Sequence, residues 1–265
     1  MDLDKEYELL SNNTVTHNGK EYSCRTFSLG DVIYKKGTNP ICFNENRFLK
    51  KLSNCKNFPN VINFEQGIEE SSITINFVKG QPLEDEIKGS HYLSHAQICQ
   101  ILGGCLDILM QLARYQIIHR DIRPDNIIIS KNKEQYIPVL IDFGWGKYVQ
   151  EQDVITPSYL GDMQRFPGTL FNDSYSMGYC LIPLKRTEAL TELVNKFMMV
   201  DPITDKNFNH VTLVLNDLKQ DLKHYESKKI QEQFYLWFEF LKKRISESRI
   251  GAAYRKSITK EVIHD

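Results

Sequence analysis

IIHRDIRPDN, residues 117–126, runs two apolar β-branched residues into His119-Arg120-Asp121 and ends on an amide, Asn126, five residues after the acid. An apolar run closed by cations, acids and a proline reads as a short strand entering a polar loop. PVLIDFGWG (138–146) repeats the arrangement: a buried-strand pattern ends in Asp142, and Gly144 follows two residues later. Either stretch alone is an ordinary strand ending in a turn. Together they are specific, because Asp142 stands 16 residues after Asn126 and the intervening NIII (126–129) and PVLID (138–142) predict a hairpin that joins the two loops.

Composition limits what this pair of loops can belong to. The chain has 265 residues, 41% hydrophobic and 25% charged, with a net charge of −1. That suits one large domain or two small lobes and an ordinary core. The charge balance gives no basic field for a nucleic-acid partner. The six cysteines contain no C-x-x-C pair, so they predict reduced, mostly buried thiols in a cytoplasmic protein and not a disulfide scaffold. The first residues, MDLDKEYELL, lack the apolar centre of a signal peptide, and no run of 18 apolar residues predicts a transmembrane segment.

Periodicity divides the chain. NTVTHNGKEYSCRTF alternates β-branched and polar residues around Asn18-Gly19, the signature of a type I′ hairpin, and DVIYKK (31–36) predicts a third strand. FNENRFLKKL (43–52) places Phe43, Phe48, Leu49 and Leu52 at helical spacing, and VINFEQG and SSITINFV (61–78) return to strand. After Lys79-Gly80 the character becomes helical: 94–116 is one long apolar-faced helix with Ser94 as N-cap, and 170–250 is mostly helix. The predicted fold class is α+β. A small β-rich N-lobe (1–79) joins a larger helical C-lobe (80–225), and a C-terminal helical extension (226–265) packs on the latter. A cleft between lobes is a common ligand site.

With these motifs in place the sequence resembles the protein kinase superfamily, in a compact and divergent form of the Ser/Thr type. His119-Arg120-Asp121 with Asn126 resembles the catalytic loop, and Asp142-Phe143-Gly144 the metal-binding motif. The resemblance implies ATP and Mg²⁺, with Asp121 as base, Asn126 and Asp142 as metal ligands, and Arg123 as a cation near the transferred phosphate. VIYK resembles the family's V-A-I-K and selects Lys35 as the phosphate-binding lysine, with Lys36 as the alternative because strand faces alternate. Glu45 falls where the family's helix carries the glutamate that pairs with that lysine. ITINFVKG (73–80) resembles the hinge, with Ile75 as gatekeeper and Asn76, Phe77 and Val78 along the adenine edge. Asp173 matches the acid that braces the catalytic loop, TPSYL (156–160) the substrate-facing end of an activation segment, and MMVDPITD a late large-lobe helix end.

The resemblance has three departures. The G-x-G-x-x-G loop is replaced by a stretch with only Gly19 and Gly30 before the lysine, which implies phosphate cover that is either weaker or supplied by side chains such as Lys20. Gly161-Asp162-Met163 stands in place of Ala-Pro-Glu, and Asp205 stands in place of that glutamate's arginine partner. Losing both members avoids an unpaired buried charge. Arg123 replaces the usual lysine, keeping the charge but donating from a planar fork.

Three function classes follow. The first is a phosphotransferase acting on a protein Ser/Thr hydroxyl. The second is a kinase of a glycan or another small-molecule hydroxyl. The third is a pseudokinase scaffold, which Asp121, Asn126 and Asp142 all argue against. His119 reads as structural. Arg120 is either structural or the receiver of a phosphate placed on Thr156, Ser158 or Tyr159. In QEQFYLWFEFLKKRISES, Phe234, Trp237, Phe238, Leu241 and Ile245 form a stripe beside Lys242, Lys243 and Arg244. It reads as a packed helix, with a weak peripheral membrane contact through 231–245 as the alternative.

Overall fold

Alternating side chains in the first third of the chain build one antiparallel sheet. Its members are β1 (Glu8–His17), β2 (Lys20–Leu29), β3 (Val32–Thr38), β4 (Val61–Gln66) and β5 (Glu70–Asn76), in the order β1-β2-β3-β5-β4. The computed structural model describes residues 8–17, 19–89, 93–152 and 172–247, with side chains as far as 241 and His17 excepted. Pairing of β1 with β2 runs to His17↔Lys20, and Gly19 has φ +74°, the left-handed backbone that the predicted hairpin requires. Asn18 itself, TPSYL with its three candidate acceptors, and Gly161-Asp162-Met163 lie outside the described residues.

The helix read at 43–52 is α1 (Ile41–Leu52), which lies on this sheet with Ile41, Cys42, Phe48, Leu49 and Leu52 buried. The same helix also buries Asn44, Glu45 and Asn46. Burying polar residues is costly unless they find partners, and Asn44 and Glu45 do, at the Gly144 carbonyl and Lys35.

A three-stranded sheet follows: β6 (Gln81–Pro82) pairs with β8 (Ile127–Asn132), which pairs with β9 (Gln135–Leu140). The β8–β9 pair is the hairpin predicted between the two motif loops. Short α2 (Leu83–Gly89) and long α3 (His95–Arg114) lie between, together with β7 (Ile117–Ile118), which pairs with β10 (Lys147–Tyr148). α3 is long and apolar enough by composition to cross a membrane, yet Ile98, Ile101, Leu102, Leu106, Ile108 and Leu109 are buried in protein, so it acts as the core helix of the second lobe. α4 (Asp173–Cys180), α5 (Glu188–Met198) and α6 (Phe208–Glu247) complete the described helices.

The chain divides into two compact units, 1–222 and 223–265. The second holds the last part of α6. There Phe234 meets Trp237 and Phe238 at ring separations of 5.9 and 6.5 Å, and all three side chains are exposed.

Ser94 caps α3 as its sequence predicts. Its hydroxyl accepts the Gln97 amide (3.3 Å), and the Gln97 side chain accepts the Ser94 amide (2.7 Å). Ser94→Ala is expected to lower unfolding free energy by about 1 kcal/mol, and Ser94→Asp by much less, measured by urea denaturation.

Candidate active site

β3 alternates its side chains, and the alternation separates the two candidate lysines. Lys35 pairs across the sheet with Thr26 and Ile73 and turns inward, 8% exposed. Lys36 faces the other way and meets Glu70 at 3.5 Å on the surface. Lys35 Nζ donates to both oxygens of Glu45, each at 2.8 Å, and to Asp142 Oδ1 at 3.2 Å. Glu45 is fully buried. Burial opposes the charge on Lys35, but the Asp142 and Glu45 carboxylates outweigh it and hold the ammonium above its ordinary range. The same ammonium, acting against burial, keeps the Asp142 carboxyl below the usual carboxylate range.

The catalytic-loop candidate is held from beneath. Asp173, at the first turn of α4, is buried and accepts the amides of His119 (2.6 Å) and Arg120 (3.0 Å). Arg120 donates from Nε to the Trp145 carbonyl at 2.6 Å, which ties the loop to the segment after Asp142. Arg120 and Asp142 have φ of +71° and +68°. Non-glycine residues persist in this region only where surrounding contacts compensate the strain, and such residues gather at functional sites.

His119 is neutral by its bonding. Nδ1 accepts the Asp121 amide (3.3 Å), which leaves Nε2 to donate to the Ile141 carbonyl (3.1 Å). Its ring meets Phe143 edge-on at 4.6 Å. Burial pushes its pKa down to about 4.

Asn126 donates from its amide nitrogen to the Asp121 carbonyl (2.9 Å) and to Asp121 Oδ2 (3.1 Å). Its side-chain oxygen is therefore fixed on the opposite side of the amide as an acceptor. Arg123 Nε lies 3.9 Å from Asp121 Oδ2. Lys35, Asp121, Arg123 and Asp142 line one cleft of about 700 Å³.

The roof of that cleft was not legible beforehand. Ser11, Asn12, Asn13, Thr14 and Thr16 of β1 line it, so hydroxyls and amides occupy the side where the family's glycines lie. Lys20, expected to help there, sits over the Tyr22 ring at 5.5 Å. The hinge candidates lie apart from this cleft. Ile75 is buried opposite Ile33, and Asn76, Phe77 and Val78 line a second depression. The Phe77 amide already donates to the Asp31 carbonyl at 2.8 Å. Asp205, in place of the expected arginine, is exposed in a turn, so no unpaired buried charge arises there.

A cleft lined by Lys35, Asp121 and Asp142, with Glu45 bound to Lys35 and Asn126 to Asp121, agrees with the comparison to known families, where the protein kinase domain matches residues 12–254. The chain belongs to the protein kinase domain family. Among curated relatives, this kinase domain is 36% identical over 148 residues to a probable serine/threonine-protein kinase PknB of Bifidobacterium longum, covering 47% of the chain and 21% of that protein. It is 30% identical over 139 residues to serine/threonine-protein kinase PknA of Nostoc, covering 48% and 24%. It is 24% identical over 151 residues to calcium-dependent protein kinase 29 of Arabidopsis thaliana, covering 54% and 27%. The matched stretches thus span about a quarter of those relatives' length.

Because the His119 pKa lies near 4 folded against 6.5 as its ordinary value, the unfolded chain takes up its proton first on acidification. The stability it contributes is complete above about pH 6.5 and is lost as pH falls toward 4. His119→Phe is expected to lose less stability over that interval than wild type, by up to about 3 kcal/mol, measured by denaturation at pH 7, 6, 5 and 4.

Proposed function

We propose that this kinase domain transfers the γ-phosphate of Mg·ATP to a Ser or Thr hydroxyl of a protein. The observation that carries the reading is the triple contact of Lys35 with Glu45 and Asp142 at the edge of the cleft that also holds Asp121. Phosphoryl transfer asks a protein mainly for positioning and for charges aimed at the phosphates. Lys35, kept protonated, supplies a fixed cation for the phosphates. Asp121, held by Asn126 and by the braced loop, orients the acceptor hydroxyl and takes its proton. Arg123 adds a second cation beside Asp121.

The donor set fits Mg²⁺. Asn126 and Asp142 offer hard oxygen ligands, and Mg²⁺ needs only one or two protein oxygens besides phosphates and water. Bound there, the metal would neutralise charge on the phosphate oxygens.

The names of the relatives, serine/threonine or calcium-dependent protein kinases, support a protein acceptor over a sugar. Retention of Asp121, Asn126 and Asp142 supports catalysis over a scaffold. A reducing, cytoplasmic setting is supported by six free thiols, four of them buried.

The test is label transfer from γ-labelled Mg·ATP to protein, glycan and small-molecule fractions. Wild type is expected to label protein on Ser or Thr, and Asp121→Ala and Asp142→Asn are expected to transfer at least about 100-fold more slowly. Label confined to the glycan or small-molecule fraction, or undiminished transfer by Asp121→Ala, would overturn the reading.

A further inference from the structure

The residues that set Glu45 against Lys35 do not end at α1. Two residues beyond Glu45, Arg47 leaves the helix on the side facing the segment after Asp142. Both of its terminal nitrogens engage the Glu151 carboxylate, Nη1 on Oε1 and Nη2 on Oε2, the latter at 2.8 Å. This is a two-pronged guanidinium–carboxylate contact, the geometry in which arginine binds anions most strongly and with most directional control. Glu151 also accepts the Tyr148 amide at 2.9 Å, so the carboxylate is fixed from its own side. Burial pushes the Glu151 carboxyl up, and the Arg47 guanidinium with the Tyr148 amide more than reverses this, so its pKa lies below the usual range.

Arg47 is gripped as well as paired. Its guanidinium lies 4.5 Å from the Phe48 ring centre and 5.3 Å from that of Tyr148, and those two rings meet edge-on at 5.0 Å. Phe48 in turn approaches Phe143, whose ring packs on His119. Arg120 and Lys147 line the same depression of about 370 Å³ as Arg47 and Glu151. Arg47 therefore clamps this carboxylate, and the positive charge of Lys147 favours its ionised form. Short polar contacts bind α1 to the 142–146 segment as well, since Asn44 donates to the Gly144 carbonyl at 3.1 Å. At Gly146, an added Cβ would lie 2.9 Å from Phe48, so only glycine admits the helix this closely.

We propose that Glu151 is a built-in substitute for a phosphate: its carboxylate, clamped by Arg47 beside Lys147, holds α1 where Glu45 meets Lys35, so this kinase domain is competent without a phosphate on the segment after Asp142. In kinases that depend on phosphorylation, an added phosphate orders this segment by new contacts with arginine. Here the chain supplies the anion from its own sequence. Glu151 and Arg47 are positioning residues, acting on phosphoryl transfer through α1 and the Lys35–Glu45 contact. The inference rests on the phosphotransferase reading above.

The experiment uses the full chain, treated with phosphatase and shown by intact mass to carry no phosphate. Phosphotransfer and Mg·ADP affinity are measured for wild type, Glu151→Ala, Glu45→Gln and the double variant. Unphosphorylated wild type is expected to keep at least about half of its transfer rate. Glu151→Ala is expected to lose at least about tenfold in kcat/KM and to bind Mg·ADP more weakly, the order of one or two charge-assisted contacts. Adding Glu151→Ala to Glu45→Gln is expected to cost less than about twofold more, because both act through one helix. A role confined to general stability would leave the two losses multiplying. Loss of transfer by wild type on dephosphorylation, less than about threefold loss in Glu151→Ala, or multiplying losses would each overturn the proposal. Failure of the phosphotransferase reading is separable, because wild type would then transfer nothing in any phosphorylation state. In that case Mg·ADP affinity decides alone, and equal affinity in wild type and Glu151→Ala sinks the proposal.

Discussion

A fully buried glutamate bound by a nearly buried lysine is the constraint on which this molecule turns. Removing Lys35 and Glu45 from water costs several kcal/mol per ion, and their attraction repays it only with close, well-directed contacts. The two 2.8 Å bonds meet that demand. Replacing Lys35 alone would leave Glu45 as an uncompensated charge inside the small lobe, so β3 and α1 must stay in register with one another. Stability alone does not explain such a pair, since apolar packing of the same volume would serve as well. Its consequence lies in the cleft, where Lys35 also reaches Asp142 and so links sheet, helix and metal-binding loop in one charge cluster.

The contacts around that cluster spread outward in two directions. Through Asp142, Phe143 and His119 they reach the loop braced by Asp173, and Asp142 at one end and Arg120 at the other both hold a left-handed backbone. Through α1 they reach Arg47 and Glu151. Both branches run through Phe143, whose ring is buried among Phe48, Phe58 and His119.

Much of this was legible in the sequence because it is encoded at short range. Asp121 and Asn126 lie on one loop, and a single hairpin carries the chain from there to Asp142, so spacing together with the family resemblance brought them to one site. Ser94 declared the start of α3 through a local cap. The choice between Lys35 and Lys36 was left open, because alternation shows that they face opposite ways but not which way the sheet turns its core. Sheet pairing and the burial of α1 decided it. The Arg47–Glu151 pair joins residues 104 apart and has no local signature, since a surface-looking arginine in FNENRFLKKL reads as solvated until its partner is placed. The roof of the cleft was hidden for another reason. Residues 11–16 were legible as strand, but their hydroxyls and amides became meaningful only once β1 was seen to overhang Lys35 and Asp142.

The most direct test of the central claim is a double-mutant cycle on the buried pair, reading kcat/KM for transfer from Mg·ATP in wild type, Lys35→Met, Glu45→Gln and the double variant. If Glu45 acts by holding Lys35, the double variant loses no more than about twofold beyond Lys35→Met alone. Losses that multiply would show two independent contributions and contradict the account.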